Sequence, residues 1–307
     1  MFVNKSIKSN IIYMNFKKLF LFIVLSCFLK ITFSSNDTTK INSNRIIIVS
    51  SSLALALSGS YYYIENSWWS EQQKNFHFDQ GPDLVYALNV DKAGHFLGGL
   101  YAADIFSNSF EWAGLNSKRA NLYGAFFASG IQLAIEIKDG YAPHWGFSKW
   151  DLILGSAGSF WPVMQDYSKD LKAINFKFSY YRHSNAYFDL EAQRGKQISL
   201  YNWQDDYPNQ TYWITFDINH FVENCCWPDW LNLAVGFGID ETQYLDNLTK
   251  AGGNNEWYIA LDYDVPKILK NWKSPTAKKI KYWLNYFHLP SPTIRILPKL
   301  EFYPLYL

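Results

Sequence analysis

The sequence predicts an α+β protein, in which a bundle of about four apolar, small-residue-rich helices precedes an antiparallel β-rich region with one amphipathic helix. Three observations support this prediction. The first half contains apolar stretches with many Ser, Gly and Ala residues, which allow helices to approach closely. The second half alternates apolar and polar residues, as strands do. Of the 307 residues, 49% are hydrophobic and 19% are aromatic, so there is ample apolar surface for a folded core.

The composition excludes several classes of protein. The 28 basic residues nearly balance the 27 acidic ones, so the charge typical of nucleic-acid binding is missing and no nucleic-acid partner is expected. Three cysteines are too few for a disulfide scaffold. The chain is rich in Trp and Tyr, with 13 and 22 residues. These residues are enriched where an aromatic ring meets both lipid and water, which favours a membrane-associated protein.

Residues 1–35 are predicted to be an export signal, with translation starting at Met14. Two lysines precede the apolar run 19–29, and polar residues follow it. This arrangement is typical of a secretory signal, and the apolar run is too short to span a bilayer. Three outcomes are open: cleavage after Ser34, lipidation of Cys27, or retention as an anchor helix. The sequence therefore predicts export to the cell envelope, with the outer membrane or the periplasmic face favoured over the cytoplasm.

The mature chain is predicted to begin with a polar linker, residues 36–44, followed by a helical domain, residues 45–168. Its apolar helices are expected at residues 46–64, 93–106, 120–137 and 150–163. The first is nearly long enough to cross a bilayer at about 1.5 Å per residue, whereas two others are short. The sequence leaves open whether the bundle lies in a membrane or against one.

Residues 169–307 are predicted to form an antiparallel β-rich domain of six to eight strands. Alternating segments occur at residues 174–180, 212–218, 231–239, 257–263, 293–297 and 299–303. A Lys-rich amphipathic helix, interrupted near Pro275, is expected over residues 265–287. Alternation with aromatic flanks is typical both of a half-buried sheet and of a small outer-membrane barrel, so both architectures are open.

Polar residues are sparse in the predicted helices, and those present are the candidate site residues. Asp91 and His95 are four residues apart and therefore share one helix face. On the next helix Gln132, Glu136 and Asp139 share a face for the same reason. These side chains are expected to face each other between the helices.

The loop after the second of these helices supplies further candidates. It contains His144 and Trp145, and Asp151 lies in the first turn of the following helix. Ser148 is expected to cap that helix, with Asp151 completing a capping box. This gives Asp151 a structural role as an alternative to a functional one.

The order of these residues resembles a known family. The motifs D-K-x-x-H at 91–95, E-x-x-D-G at 136–140 and W-G-F-S-x-x-D at 145–151 resemble the YfiM-type family of predicted periplasmic lipoproteins of unknown function. The β-rich extension is similar to that of the family's long variants, and the polar pattern resembles VanZ-like membrane proteins more distantly. Both groups usually carry Asn where this chain has Gly155. The resemblance implies a fold and an envelope location, and it implies no reaction.

Three roles are open for the polar residues. As a metal site they would offer imidazole and carboxylate ligands, which suit zinc, manganese or iron. The ligands would be Asp91, His95, Glu136 and Asp151. As catalytic residues, His95 and Glu136 would form an acid–base pair. As a structural network, Lys92 and Lys138 would neutralise carboxylates and hold the helices in register.

The sequence favours a non-enzymatic, membrane-associated envelope protein whose helical domain binds a lipid, a glycan or a protein partner. The expected binding residues are Asp91, Lys92, Asp139, His144, Trp145 and Asp151. No cofactor is expected, although a divalent metal remains open. Two alternatives remain: an envelope enzyme that acts on a lipid or peptidoglycan-type substrate, and a small outer-membrane barrel with a helical appendage.

Overall fold

The structure is a computed structural model that describes residues 41–67, 73–143, 145–193, 200–222, 226–244 and 253–307. The export signal with Cys27, most of the linker, and His144 lie outside the described residues. The expectations about lipidation and about the imidazole of His144 therefore stay predictions.

The four predicted helices form in the first half of the chain. They are α1 (Ser43–Ser67), α2 (Val90–Trp112), α3 (Ser117–Asp139) and α4 (Lys149–Tyr167). Side-chain oxygens of Asn116 and Ser148 accept backbone N–H groups at the starts of α3 and α4, which satisfies donors that a helix leaves free. Each helix is longer than the apolar stretch that predicted it, because polar residues continue the helix at both ends.

Helices α2, α3 and α4 pack against one another through small residues. A methyl group added at Gly158 would lie 1.9 Å from the Phe96 carbonyl oxygen, and one at Gly99 would lie 2.1 Å from the Gly155 carbonyl oxygen. Helices α2 and α4 therefore meet backbone to backbone. Helix α1 joins the apolar core of this bundle near its start. No helix within the described part of the chain has both the length and the hydropathy that crossing a membrane requires.

The second half forms one antiparallel sheet, whose six strands lie side by side in chain order. They are β1 (Ile174–Tyr180), β2 (Gln210–Phe216), β3 (Leu231–Ile239), β4 (Asn255–Tyr263), β5 (Ser291–Leu297) and β6 (Glu301–Tyr306). The predicted sheet is confirmed, and in the described residues it is not closed into a barrel. The Phe178 N–H donates to the Tyr286 carbonyl, and the Phe178 carbonyl accepts the His288 N–H, both at 2.9 Å. These two bonds cover part of the outer edge of β1.

In the described residues, five short α-helices lie between or after these elements, in addition to short 3-10 turns. They are α5 (Lys169–Lys172), α6 (Ala186–Gln193), α7 (Ile218–Phe221), α8 (Val265–Ile268) and α9 (Pro275–Leu284). The predicted amphipathic helix is present as α8 and α9, and the interruption falls where Pro275 starts a new helix. Ser274 caps α9 by accepting the Ala277 N–H.

The sheet packs on the bundle through β1 and β2. Leu97 and Leu100 of α2 form a buried cluster with Phe178 of β1, and Tyr212 of β2 packs against it. This contact fixes the start of α2, where the candidate site residues lie, against one end of the sheet.

Candidate functional site

Carboxylates from three parts of the chain surround Lys92 at the start of α2. The Nζ atom of Lys92 lies 2.7 Å from Asp83 Oδ1 and 3.0 Å from Asp91 Oδ2. It also lies 3.0 Å from Asp151 Oδ1 in the first turn of α4. Lys92, Asp91 and Asp151 are buried, and Asp83 is half-buried. The acidic cluster consists of these four residues together with His95 and Glu136.

His95 connects α3 and α4 within the acidic cluster. Its Nδ1 atom lies 3.1 Å from Gln132 Oε1 and 3.9 Å from Glu136 Oε1. Its Nε2 atom lies 3.8 Å from Asp151 Oδ2. The His95 side chain is 24% exposed, whereas that of Glu136 is 2% exposed. The imidazole is therefore the part of the cluster that solvent reaches most easily.

Ser148 forms hydrogen bonds with three acidic residues of the cluster. Its hydroxyl accepts the Asp151 N–H at 3.1 Å, as predicted, and donates to Asp83 Oδ2 at 2.7 Å. A capping box would also need the Asp151 carboxylate to accept the Ser148 N–H. That N–H donates instead to Glu136 Oε2 at 3.0 Å. The reciprocal half of the capping-box prediction is therefore wrong, and the Asp151 carboxylate is available to Lys92 and His95.

Asp83, which the sequence pattern does not indicate, enters the cluster through a single turn of 3-10 helix, Pro82–Leu84. The backbone of Phe147 accepts the Asp79 N–H and donates to His77, each at 3.0 Å. The Asp79 carboxylate then accepts the N–H groups of Gly81 and Asp83, which folds the chain back toward Ser148. The available signal was the sequence Gly-Pro-Asp at 81–83, which is typical of a turn and carries no periodic pattern.

The turn before α2 has an unusual backbone. Ala87, Leu88 and Asn89 have φ angles of 48°, 47° and 67°, a left-handed conformation that costs a residue other than glycine about 1–2 kcal/mol. Ala87 is fully buried in a cluster with Tyr207 and Ile239 of the second half. The packing of the second half therefore maintains the strained turn that directs the first turn of α2 into the acidic cluster.

Gln132 occupies the space beside Gly155, the position where the resembling families usually carry Asn. A Cβ atom at Gly155 would lie 2.7 Å from both Cδ and Oε1 of Gln132. The same Oε1 atom is the hydrogen-bond partner of His95 Nδ1. The polar group expected from α4 is therefore supplied by α3.

Burial makes two carboxylates of the cluster hard to ionise. It raises the pKa of Glu136 to about 9, and the negative charges of Asp139 and Asp151 act in the same direction. It raises the pKa of Asp91 to about 7, although Lys92 opposes this effect. Each carboxyl group therefore binds its proton more tightly than it would in water.

Direct contacts with charged neighbours affect the pKa values of three further residues of the cluster, Asp151, Asp83 and Lys92. Burial also raises the pKa of Asp151, against the opposing charges of His95 and Lys92. Burial disfavours the ionised form of Asp83 too, but hydrogen bonds from Lys92 and Ser148 keep its pKa below the usual value. The pKa of Lys92 is raised, because Asp91 and Asp151 outweigh the effect of burial. Lys92 and Asp83 therefore form a permanent ion pair at neutral pH.

Three buried carboxylate oxygens of the cluster have no hydrogen-bond partner among the residues that the structure describes, namely Glu136 Oε1, Asp91 Oδ1 and Asp151 Oδ1, whereas buried polar atoms normally have one. Asp151 Oδ1 lies within ion-pair distance of Lys92 Nζ, at 3.0 Å, so Glu136 Oε1 and Asp91 Oδ1 are the two without a lysine contact. Three carboxylates contact Lys92, and Glu136 contacts His95. The four carboxylates and Lys92 would carry three negative charges in excess if all were ionised and His95 were neutral. The cluster therefore requires additional protons or a further cation.

Two overlapping sets of side chains could hold that cation. His95, Glu136 and Asp151 form one set, and Asp83, Asp91 and Asp151 form the other; in each, the ligand atoms lie within 4.8 Å of one another. The second set already surrounds the Lys92 ammonium group. The first set combines one imidazole with two carboxylates, a donor set that suits zinc, manganese or iron.

Two other candidate residues, Asp139 and Trp145, lie around the cluster rather than in it. Asp139 is half-buried and belongs to neither ligand set. Trp145 is exposed, and its ring centroid lies 5.2 Å from that of Tyr86. His144 lies outside the described residues.

The cluster coincides with a region that has known relatives. Residues 81–166 match a family described as "Predicted periplasmic lipoprotein (DUF2279)". The match starts just before Asp83 and ends in the last turn of α4, so it includes every residue of the acidic cluster. It agrees with the predicted envelope location, while the likeness to YfiM-type and VanZ-like proteins stays a prediction. No curated protein and no solved structure matches the chain.

Proposed function

We propose that this chain is an exported, membrane-associated protein of the cell envelope whose helical region binds a divalent cation through His95, Glu136 and Asp151. The observation that carries the proposal is the buried Glu136 Oε1 atom, which has no hydrogen-bond partner among the described residues and lies 3.9 Å from His95 Nδ1. The likeness of residues 81–166 to predicted periplasmic lipoproteins supports the envelope location.

The orientation of His95 supports the same proposal. Since an amide oxygen only accepts hydrogen bonds, Gln132 Oε1 favours a proton on Nδ1 and a free lone pair on Nε2. A metal-binding histidine usually donates its other ring N–H to such an oxygen. The free Nε2 atom faces Asp151 Oδ2 at 3.8 Å. The imidazole is therefore already oriented as a ligand.

Charge supports a cation over an anionic ligand. The acidic cluster has more carboxylates than its lysine can neutralise, and a divalent ion would reduce that excess while giving Glu136 Oε1 a partner. A bound ion would also provide a positive centre for the lipid, glycan or protein partner that the sequence predicts. The enzymatic alternative, with His95 and Glu136 as acid–base pair, uses the same side chains and stays a prediction.

Metal titration of the purified full chain tests the proposal. We expect one Zn²⁺ or Mn²⁺ ion per chain by calorimetry and elemental analysis, together with a higher melting temperature when the ion is present. Glu136→Gln keeps the size of the side chain and removes the carboxylate that an ion would bind, so it should weaken binding by at least about tenfold.

Asp104→Asn provides the matched control, because it removes a buried carboxylate of α2 outside the acidic cluster. This variant should bind the ion as the unaltered chain does. A chain that binds no stoichiometric ion, or equal affinities for the unaltered chain and Glu136→Gln, would contradict the proposal.

A further inference from the structure

The sheet buries a polar face and exposes an apolar one. Residues paired across neighbouring strands share a face of a sheet. One paired row, here called the outward face, consists of Ile214, Val235, Ile259, Ile294 and Phe302. On β1 this row continues to Phe176, which Phe96 and Trp161 of the bundle cover. The adjacent row on the opposite face consists of Lys177, Trp213, Gly236, Tyr258 and Arg295. Antiparallel sheets in water usually have the opposite arrangement, with the apolar face packed and the polar face solvated.

The polar face satisfies its own charges. Lys177 Nζ lies 2.8 Å from Asp262 Oδ2, and Arg295 lies 2.6 Å from Glu256. The hydroxyl group of Tyr258 donates to the same Glu256 carboxylate. These charged side chains therefore have partners inside the protein. The bundle covers the apolar side of the sheet at β1, through Phe176 and Phe178, and leaves it open farther along the sheet.

The outward face is open to its surroundings over several strands. Ile214, Ile259, Ile294 and Phe302 are between 38% and 62% exposed. No member of the outward face carries a side-chain hydrogen-bonding group. Protein interfaces of ordinary composition carry about one hydrogen bond per 100–200 Å², and these side chains can supply none. Lipid hydrocarbon is apolar and needs no hydrogen bonds from these side chains.

Aromatic side chains mark both ends of the central strands. Phe237 and Trp257 pair at one end with ring centroids 4.8 Å apart, and Trp230 and Tyr263 stack at the other with centroids 6.1 Å apart. Trp257 and Tyr263 begin and end a stretch of β4 that is about 20 Å long at about 3.4 Å per residue. Aromatic rings at both ends of an apolar band are typical of protein surfaces at the borders of the hydrocarbon layer.

A basic segment follows directly at the Tyr263 end. Residues 265–284, which contain α8 and α9, carry six lysines and no acidic residue. Exposed apolar side chains lie between these lysines, namely Ile268, Trp272 and Ile280. Segments that combine lysines with Trp and aliphatic residues bind anionic lipid surfaces.

We infer that the outward face lies against the hydrocarbon of an anionic membrane leaflet, with the basic segment 265–284 at the lipid headgroups. An open sheet leaves backbone groups of its edge strands unpaired, so the sheet rests on the leaflet and does not cross it. This inference names the surface that makes the proposed envelope protein membrane-associated. It does not depend on the cation site, because it uses none of the residues of the acidic cluster.

An environment-sensitive fluorophore tests the contact directly. The full chain, with its three natural cysteines replaced by Ser, receives a single new cysteine by Ile294→Cys and is labelled with a nitrobenzoxadiazole probe. Vesicles of phosphatidylcholine with about 30% phosphatidylglycerol should shift its emission to the blue, and brominated acyl chains should quench it. Removing Cys27 ensures that no acyl anchor contributes. The matched control is Ser117→Cys, at the exposed start of α3, where no shift is expected.

Variants separate the two parts of the surface. Ile259→Glu combined with Ile294→Glu should abolish the blue shift of a probe at position 302, introduced by Phe302→Cys. Lys278→Glu combined with Lys279→Glu should lower the vesicle partition coefficient about tenfold and make it insensitive to salt. Both pairs should leave Zn²⁺ or Mn²⁺ binding unchanged, which distinguishes a failure here from a failure of the cation site.

Two results would overturn the inference. One is a probe at position 294 that stays in water while the protein is bound to vesicles. The other is a stable dimer in solution that Ile259→Glu dissociates, because a second copy of the chain would then be the occupant of the outward face.

Discussion

Lysine, aspartate and histidine meet in two buried places in this protein, and their charges balance in only one of them. In the sheet, Asp262 lies 2.8 Å from Lys177 Nζ and 3.1 Å from His288 Nδ1, and the side chains of all three are fully buried. Lys177 also donates to the Tyr263 carbonyl and to Asn285 Oδ1. One lysine meets one carboxylate here, and each donor of the ammonium group has an acceptor.

The acidic cluster of the helical region differs in charge and in access. Lys92 faces more carboxylates than it can neutralise, and Glu136 Oε1 has no hydrogen-bond partner in the described part of the chain. His95 is partly exposed, whereas His288 is not. The comparison indicates that residue type alone does not separate a structural network from a binding site. We expect charge balance and solvent access to separate the two.

A hydroxyl group lies beside the buried Asp262 and His288 of the sheet, so the arrangement can be compared with the catalytic triad of a hydrolase. Ser291 Oγ lies 3.2 Å from His288 Nε2. However, this hydroxyl donates to the Leu261 carbonyl at 2.5 Å, and the Trp213 ring stacks on His288 with centroids 3.9 Å apart. Burial lowers the pKa of His288 despite its contact with Asp262. The arrangement is sealed from solvent, and we assign it to the stability of the sheet.

The largest predicted effect is the loss of Lys177. Lys177→Met leaves Asp262 buried without its cation, which typically costs about 3–5 kcal/mol, so the free energy of unfolding measured in urea should fall by that amount. The control is Lys267→Met, because Lys267 pairs with Asp217 where the two side chains are 36% and 24% exposed. Its loss should cost less than about 1 kcal/mol. Equal losses in the two variants would contradict the contrast between sealed and open charge pairs.

A somewhat smaller effect should be a pH dependence of the free energy of unfolding that arises from Asp104. This buried carboxylate accepts the hydroxyl groups of Tyr282 and Tyr286. Burial raises its pKa from 3.8 to about 6, so the folded chain holds the proton where the unfolded chain has lost it. The free energy of unfolding should therefore decrease as the pH rises from about 4 to about 6, by about 3 kcal/mol at about 1.4 kcal/mol per pKa unit.

Asp104→Asn isolates this contribution. The variant cannot titrate at that position, so the difference in unfolding free energy between it and the unaltered chain should change between pH 4 and pH 6 and stay constant above. A difference that is constant throughout this pH range would show that Asp104 titrates normally. Water would then reach the Asp104 carboxylate in the folded chain despite its burial.

Local patterns predicted most of the fold. Strand β3 coincides with its predicted range, residues 231–239, because alternation over nine residues depends on the two faces of one strand. Helix spacing likewise identified Asp91, His95 and Glu136 as residues of facing helices. Contacts that depend on topology left no such pattern. Asp262 and His288 are 26 residues apart and meet only because β4 and the chain before β5 lie side by side.

Because contacts between helices leave no pattern along one helix, the sequence predicts that Gly155 is a missing polar residue. Sequence shows that α4 carries glycine there, but only the packing of the helices shows that Gln132 of α3 fills the space and reaches His95. A side chain contributed by a neighbouring helix leaves no trace in the spacing of residues along α4. His95 therefore has an amide partner although α4 carries glycine at position 155.

The smallest predicted effect tests this exchange between α3 and α4. Gly155→Ala places a methyl group against Gln132, and such overpacking costs about 1–3 kcal/mol. In a Gln132→Ala background the space is free, so the same substitution should stabilise the chain by up to about 1 kcal/mol, the helix preference of Ala over Gly. Urea unfolding of the four chains measures this reversal of sign as a coupling energy. If Gly155→Ala has the same effect in both backgrounds, Gln132 does not occupy the site beside Gly155, and the orientation of His95 must have another cause.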